Sequence, residues 1–141
     1  MSIAGGKPSA FSMNHRENLK ECFQERLETT MHDVKVIVNQ IERMESQYKT
    51  ISPSVIEKDL ATSYCDLELS MALMAVIIRK MVENQYVTIT NSERQDINAL
   101  IHSNRLDYKD GKVMVYSRMS KESVEVAYFL TLGQRLLESL E

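Results

Sequence analysis

The sequence predicts a mainly α fold with a minor α+β part: a long antiparallel helical hairpin, then a small region with a short helix, a β-hairpin and a C-terminal helix. Three observations carry that expectation. No Pro or Gly interrupts residues 14–50, and apolar residues recur there at steps of three and four. Leu67–Ile78 is almost wholly apolar, and its last eight residues from Met71 onward are entirely so. After Asn84 the texture turns β-branched and alternating, with Asp110-Gly111 between two alternating stretches.

Residues 1–13 carry Gly5, Gly6, Pro8 and several serines, a composition that predicts a flexible N-terminal arm. The first helix is expected from Asn14, with its apolar stripe at Leu19, Phe23, Leu27, Met31, Val34, Val38, Ile41 and Tyr48. Only Glu45 breaks the heptad-like spacing, while Cys22, Ile37 and Met44 widen the stripe. Ile51-Ser-Pro-Ser54 stops that helix and starts the next, with Ser52 or Ser54 as cap and Pro53 suited to the first turn. The second helix is expected to reach Asn84 through Ile56, Leu60, Tyr64, Leu67, Met71, Met74, Ile78 and Met81. A connection this short makes the two helices antiparallel, so 14–84 reads as a hairpin and 85–141 as a small region packed on it.

In that second region Tyr86–Thr90 reads as a short strand and Ser92-Glu-Arg-Gln95 as a capping box opening a helix to about Ser103. Asp110-Gly111 predicts a tight hairpin, because a type I′ turn needs positive φ at both central residues. The last segment supports two readings. Either one helix runs from Ser120 to the C-terminus, which is favoured slightly, or Val124–Tyr128 is a strand and a shorter helix follows Thr131.

Composition narrows the function classes. Seventeen Lys and Arg against twenty Asp and Glu leave a net charge of −3, without the basic excess that a dedicated nucleic-acid binder uses to hold phosphates. No unbroken apolar run approaches the ~18–20 residues of a membrane span. The first residues lack a basic start followed by an apolar stretch, so they do not read as a secretory signal. Cys22 and Cys65 are then expected to be reduced, half-buried thiols in the cytoplasm.

No catalytic constellation stands out. The glycines do not form a phosphate loop, and no serine sits in a Gly-x-Ser-x-Gly elbow. His15 and Cys22 share a helix face, yet two ligands fall short of the three or four that zinc takes. Glu17, Glu21, Glu25 and Glu28 lack the Glu-x-x-His partners of a carboxylate-bridged metal site and read as a solvated face. No enzyme activity, cofactor or metal is expected.

The one charge anomaly lies at the hairpin, where Arg105, Lys109, Lys112, Arg118 and Lys121 stand against Asp107 and Asp110, a local +3. A basic hairpin beside a short capped helix resembles the outline of a winged-helix domain. Tyr128-Phe-Leu-Thr-Leu-Gly133-Gln-Arg-Leu-Leu137 is similar to the Tyr-x-Leu-Thr-x-x-Gly-x-x-Leu-Leu ending of several winged-helix repressors, although the glycine falls one position early. The resemblance covers about ten residues, and one short helix precedes the hairpin where that family has two. It implies DNA binding, with the five hairpin cations on phosphates.

The favoured expectation is a non-enzymatic interaction protein, such as an adaptor, inhibitor or regulatory protein, that pairs with itself and with another protein through its helices. A helix that is apolar all round must be surrounded on every side, by a third layer or by a second copy. The predicted partner and dimer contacts are Leu27, Met31, Val34, Val38 and Ile41 on the first helix and Met71, Met74 and Ile78 on the second. A monomer exposing the last three would forgo ~1.5–3 kcal/mol for each large side chain left in water.

Overall fold

A computed structural model describes residues 8–47, 53–102, 105–109, 111–116 and 121–140. Among these residues four helices and three strands follow one another as α1 (Pro8–Gln47), α2 (Pro53–Glu83), α3 (Asn91–His102), β1 (Arg105–Lys109), β2 (Lys112–Tyr116), β3 (Lys121–Glu125) and α4 (Val126–Ser139). The fold is mainly α with a minor antiparallel sheet.

At 40 residues α1 runs about 60 Å at 1.5 Å per residue. It starts at Pro8, whose fixed φ and missing N–H suit a first helical turn, so the backbone of 8–13 is helical where an arm was expected. Residues 1–7 lie outside the described part. The hairpin is antiparallel, because Arg16 near the start of α1 meets Asn84 just past the end of α2, while Val36 shares a groove with Asp66 and Leu69. The Arg16 guanidinium donates to the Asn84 carbonyl at 2.9 Å and lies 4.8 Å from the centroid of the Tyr86 ring, whose hydroxyl donates to the Arg16 carbonyl at 3.0 Å. Phe23 packs on the same ring at 6.2 Å, closing the open end of the hairpin.

Along their shared seam Leu27, Met31, Val34 and Ile41 of α1 interlock with Leu60, Leu67, Met71, Met74, Ile78 and Met81 of α2, all of them buried. The other elements form a second layer on one side: α3 and β1 pack on α2, while α4 rests on α1 and β3. At Gly133 α4 comes close to both hairpin helices, since a Cβ there would come within 2.7 Å of the Met31 sulfur and 3.0 Å of Met74 Cε. Ile97, Leu100, Leu106, Tyr108, Val113, Val124, Phe129 and Leu136 complete one continuous core.

Several local expectations change. Val87–Thr90 alternates buried and more exposed residues as a strand would, but it has no ladder partner and runs as an extended connector into α3. The box that opens α3 is Thr90-x-x-Glu93, not Ser92-x-x-Gln95: Thr90 N–H donates to Glu93 Oε1 at 2.8 Å and Glu93 N–H to Thr90 Oγ1 at 3.1 Å. β1 and β2 form the expected hairpin, with Lys109 opposite Lys112 and Gly111 at φ +79° in the turn, while Asp110 lies outside the described residues. A third strand, β3, adds to β2 with Val124 opposite Val113. The C-terminal segment therefore follows neither single reading. It is strand to Glu125 and helix from Val126, because Val124 and Val126 both enter the core from the point where strand turns to helix.

Candidate functional site

The residues predicted to meet a second copy lie inside this chain. Leu27, Met31, Val34 and Ile41 are buried, as are Met71, Met74 and Ile78, and Val38 is half-buried. A single chain thus covers Met71, Met74 and Ile78 by itself, with α1 on one side and the second layer of α3, the sheet and α4 on the other. What it does not cover is the opposite side of the same apolar run. Leu69 is 71% exposed, Leu73 46% and, across the groove on α1, Val36 39%.

Helical geometry explains how the two sides arise. Residues 67, 71, 74 and 78 form one stripe, and 69, 73 and 76 form another two positions later. Two positions is about 200° around the axis, so the second stripe points away from the first. Leu69, Leu73 and the half-buried Val76 are bracketed on the same line by the exposed Asp66 and Lys80. Beside them a groove of about 510 Å³ runs between α1 and α2, lined by His32, Asp33, Val36, Ile37 and Gln40 on one wall and Asp66, Leu69 and Ser70 on the other. Periodicity marks the inward stripe in the sequence, whereas the outward one was not among the expected contacts. The spacing of Leu69, Leu73 and Val76 between two opposite charges was the signal that marks it.

Further features lie in the second layer. The ladder places Arg105 opposite Tyr116, Lys109 opposite Lys112 and Lys121 opposite Tyr116. Directly opposed residues share a face of a sheet, so four of the five predicted phosphate contacts fall on one face. Lys112 Nζ there lies 3.9 Å from Glu125, both largely exposed. Arg118 lies outside the described residues. Where β3 meets α4, a hollow of about 320 Å³ is lined by Ser92, Asp96, Val124, Glu125 and Tyr128. The Tyr128 hydroxyl donates to Asp96 Oδ2 at 2.8 Å. Partial burial, then that hydrogen bond and the Asp96 charge, push the phenol up to about 12.

Glu93 ties the layer together. Its carboxylate accepts the Thr90 N–H and both oxygens take the Arg135 guanidinium, at 2.8 and 2.7 Å. Partial burial pushes this carboxyl up, but the hydrogen bonds from Thr90 and Arg135 and the Arg135 charge outweigh it, leaving it below its ordinary 4.5. Cys22 and Cys65 are free and exposed rather than half-buried. Among the described residues, no three His, Cys, Asp or Glu side chains converge on a point a metal could occupy.

By length and composition alone, the Ile56–Glu83 stretch of α2 is apolar enough to cross a membrane, unlike the run length considered from sequence. In this fold its inward stripe is the middle of a protein core. The chain matches no protein-family model, no curated protein and no solved structure.

Proposed function

We propose that this chain is a non-enzymatic protein-association module of the cytoplasm that works as a homodimer through the outer face of its helical hairpin. One observation carries the reading. Leu69, Leu73 and Val36 lie exposed together, on the face of α1 and α2 away from the second layer. Single exposed apolar residues need no explanation, but here Val36 and Leu69 line a groove between two long helices and Leu73 follows Leu69 one turn along α2. Two hairpins packed face to face would make a four-helix arrangement in which the apolar faces cover one another. Regulatory or adaptor roles fit such a module, and a further protein can use whatever surface the dimer leaves open.

The test is the mass of the chain in solution across a concentration series. Reversible dimers are expected, and Leu69→Asp with Leu73→Asp should leave a folded monomer, because those side chains contribute little to the core. A mass equal to one chain at every concentration counts against the reading.

The sheet register favours a second reading, DNA binding through the cations of β1, β2 and β3. It predicts duplex affinity that falls steeply with salt as neutralised phosphates release counterions. Lys109→Glu with Lys112→Glu and Arg118→Glu should then abolish a fluorescence-anisotropy signal. No binding by the unmodified chain at low salt would dispose of it.

A further inference from the structure

The order of charges along the exposed stripe of α2 specifies how two copies would meet, an inference that rests on the homodimer reading above. Asp66, Leu69, Leu73, Val76 and Lys80 follow one another at steps of three, four, three and four, with an acid at the N-terminal end and a base at the C-terminal end. Among the described residues neither Asp66 nor Lys80 has an ion-pair partner within the chain.

A symmetric dimer uses the same patch on both copies, so the patch must complement itself. In a parallel pairing Leu69, Leu73 and Val76 would each meet their own counterparts, but Asp66 would face Asp66 and Lys80 would face Lys80. Antiparallel pairing removes that conflict. With the two-fold axis between Leu69 and Leu73, each Leu69 packs on the other copy's Leu73 and Asp66 meets Val76. Lys80 lies opposite Thr62, one helical turn from Asp66 and within reach of it along its flexible stem. We infer that two copies of this chain pair through α2 in antiparallel register, with Leu69 and Leu73 at the axis and an Asp66–Lys80 pair at each end of the apolar contact. Val36 and Ile37 of α1 flank the axis and extend the contact across the groove.

Size decides the strength. From Thr62 to Lys80 the stripe is about 27 Å long. Two helices 8–10 Å apart make a face about 20 Å wide. The contact then covers roughly 540 Å² per copy, below the ~800 Å² of a standard stable interface. The dimer belongs among weak, reversible associations, with dissociation in the micromolar range.

A charge-swap cycle read by sedimentation equilibrium at low salt tests the register. Asp66→Lys alone and Lys80→Asp alone should each weaken dimerisation by about tenfold, since the two-fold axis counts each pair twice. Asp66→Lys with Lys80→Asp should restore it. Both positions of the cycle are exposed residues, and circular dichroism checks that each variant keeps its helices. Dimers indifferent to either single swap, or not rescued by the double one, overturn the antiparallel register while leaving the homodimer standing. A chain that remains monomeric into the high micromolar range overturns both and leaves the stripe to a different protein.

Discussion

Glu93 shows how much one side chain holds in this small second layer. It closes the capping box of α3 with Thr90 and accepts Arg135 from α4 with both oxygens. Thr90→Ala should cost about 1 kcal/mol in urea denaturation, the usual loss for an N-cap. Because the folded state holds Glu93 below its ordinary 4.5, this carboxylate contributes stability above that value. The contribution is lost as pH falls through the lowered value. Glu93→Gln should therefore flatten the loss of stability on acidification below pH 4.5, and an unchanged acid limb would contradict the assignment. Tyr128 has the opposite sign. Its phenol is raised to about 12, so the neutral form favours the folded state, and that stability is full below the ordinary 10 and lost as pH climbs from 10 towards 12. Asp96→Asn should bring the ionisation of Tyr128, followed by ultraviolet difference absorbance against a Tyr128→Phe variant, to a lower pH. Gly133 balances two effects of similar size. Alanine gains about 1 kcal/mol of helix propensity there, while its Cβ must displace the flexible ends of Met31 and Met74. Gly133→Ala should therefore change stability by less than about 1 kcal/mol. Gly133→Leu overfills the same space and should cost about 1–3 kcal/mol or more.

Among the elements, α2 carries the most information and misleads the most. Its length, its partner α1 and the antiparallel pairing were all legible, since a long stripe free of Pro and Gly leaves few alternatives. What periodicity could not supply was phase. Between Leu67 and Ile78 both sides of the helix are apolar, so the inward stripe of Leu67, Met71, Met74 and Ile78 and the outward one of Leu69, Leu73 and Val76 look alike in one dimension. Of the eight residues assigned to a partner, the chain buries seven for itself and half-buries Val38. Met74→Ala should cost about 2–5 kcal/mol of stability as a core truncation, whereas Leu73→Ala should cost less than about 1 kcal/mol. Boundaries failed where tertiary context decides. Tyr86–Thr90 has strand-like alternation but joins no ladder among the described residues, and β3 gives way to α4 at Val126 without a capping side chain on Glu125. The Asp-Gly hairpin was legible because its turn chemistry is local.

At the scale of the whole molecule, the layers are unequal. One side of the hairpin carries α3, the sheet and α4, and the other carries Val36, Leu69 and Leu73 in water. The proposed site was thus half legible: an apolar stretch of helix does leave large apolar side chains exposed, but on the side opposite to the residues expected. No local motif announced it, because an association surface needs only spacing and exposure, and exposure is a property of the fold. Self-association along this face is tested most directly by sedimentation equilibrium of the unmodified chain beside the Leu69→Asp with Leu73→Asp variant. The account predicts a monomer–dimer equilibrium in the micromolar range for the first and a folded monomer for the second. A single-chain mass for both, or dimers that survive the two aspartates, would contradict it.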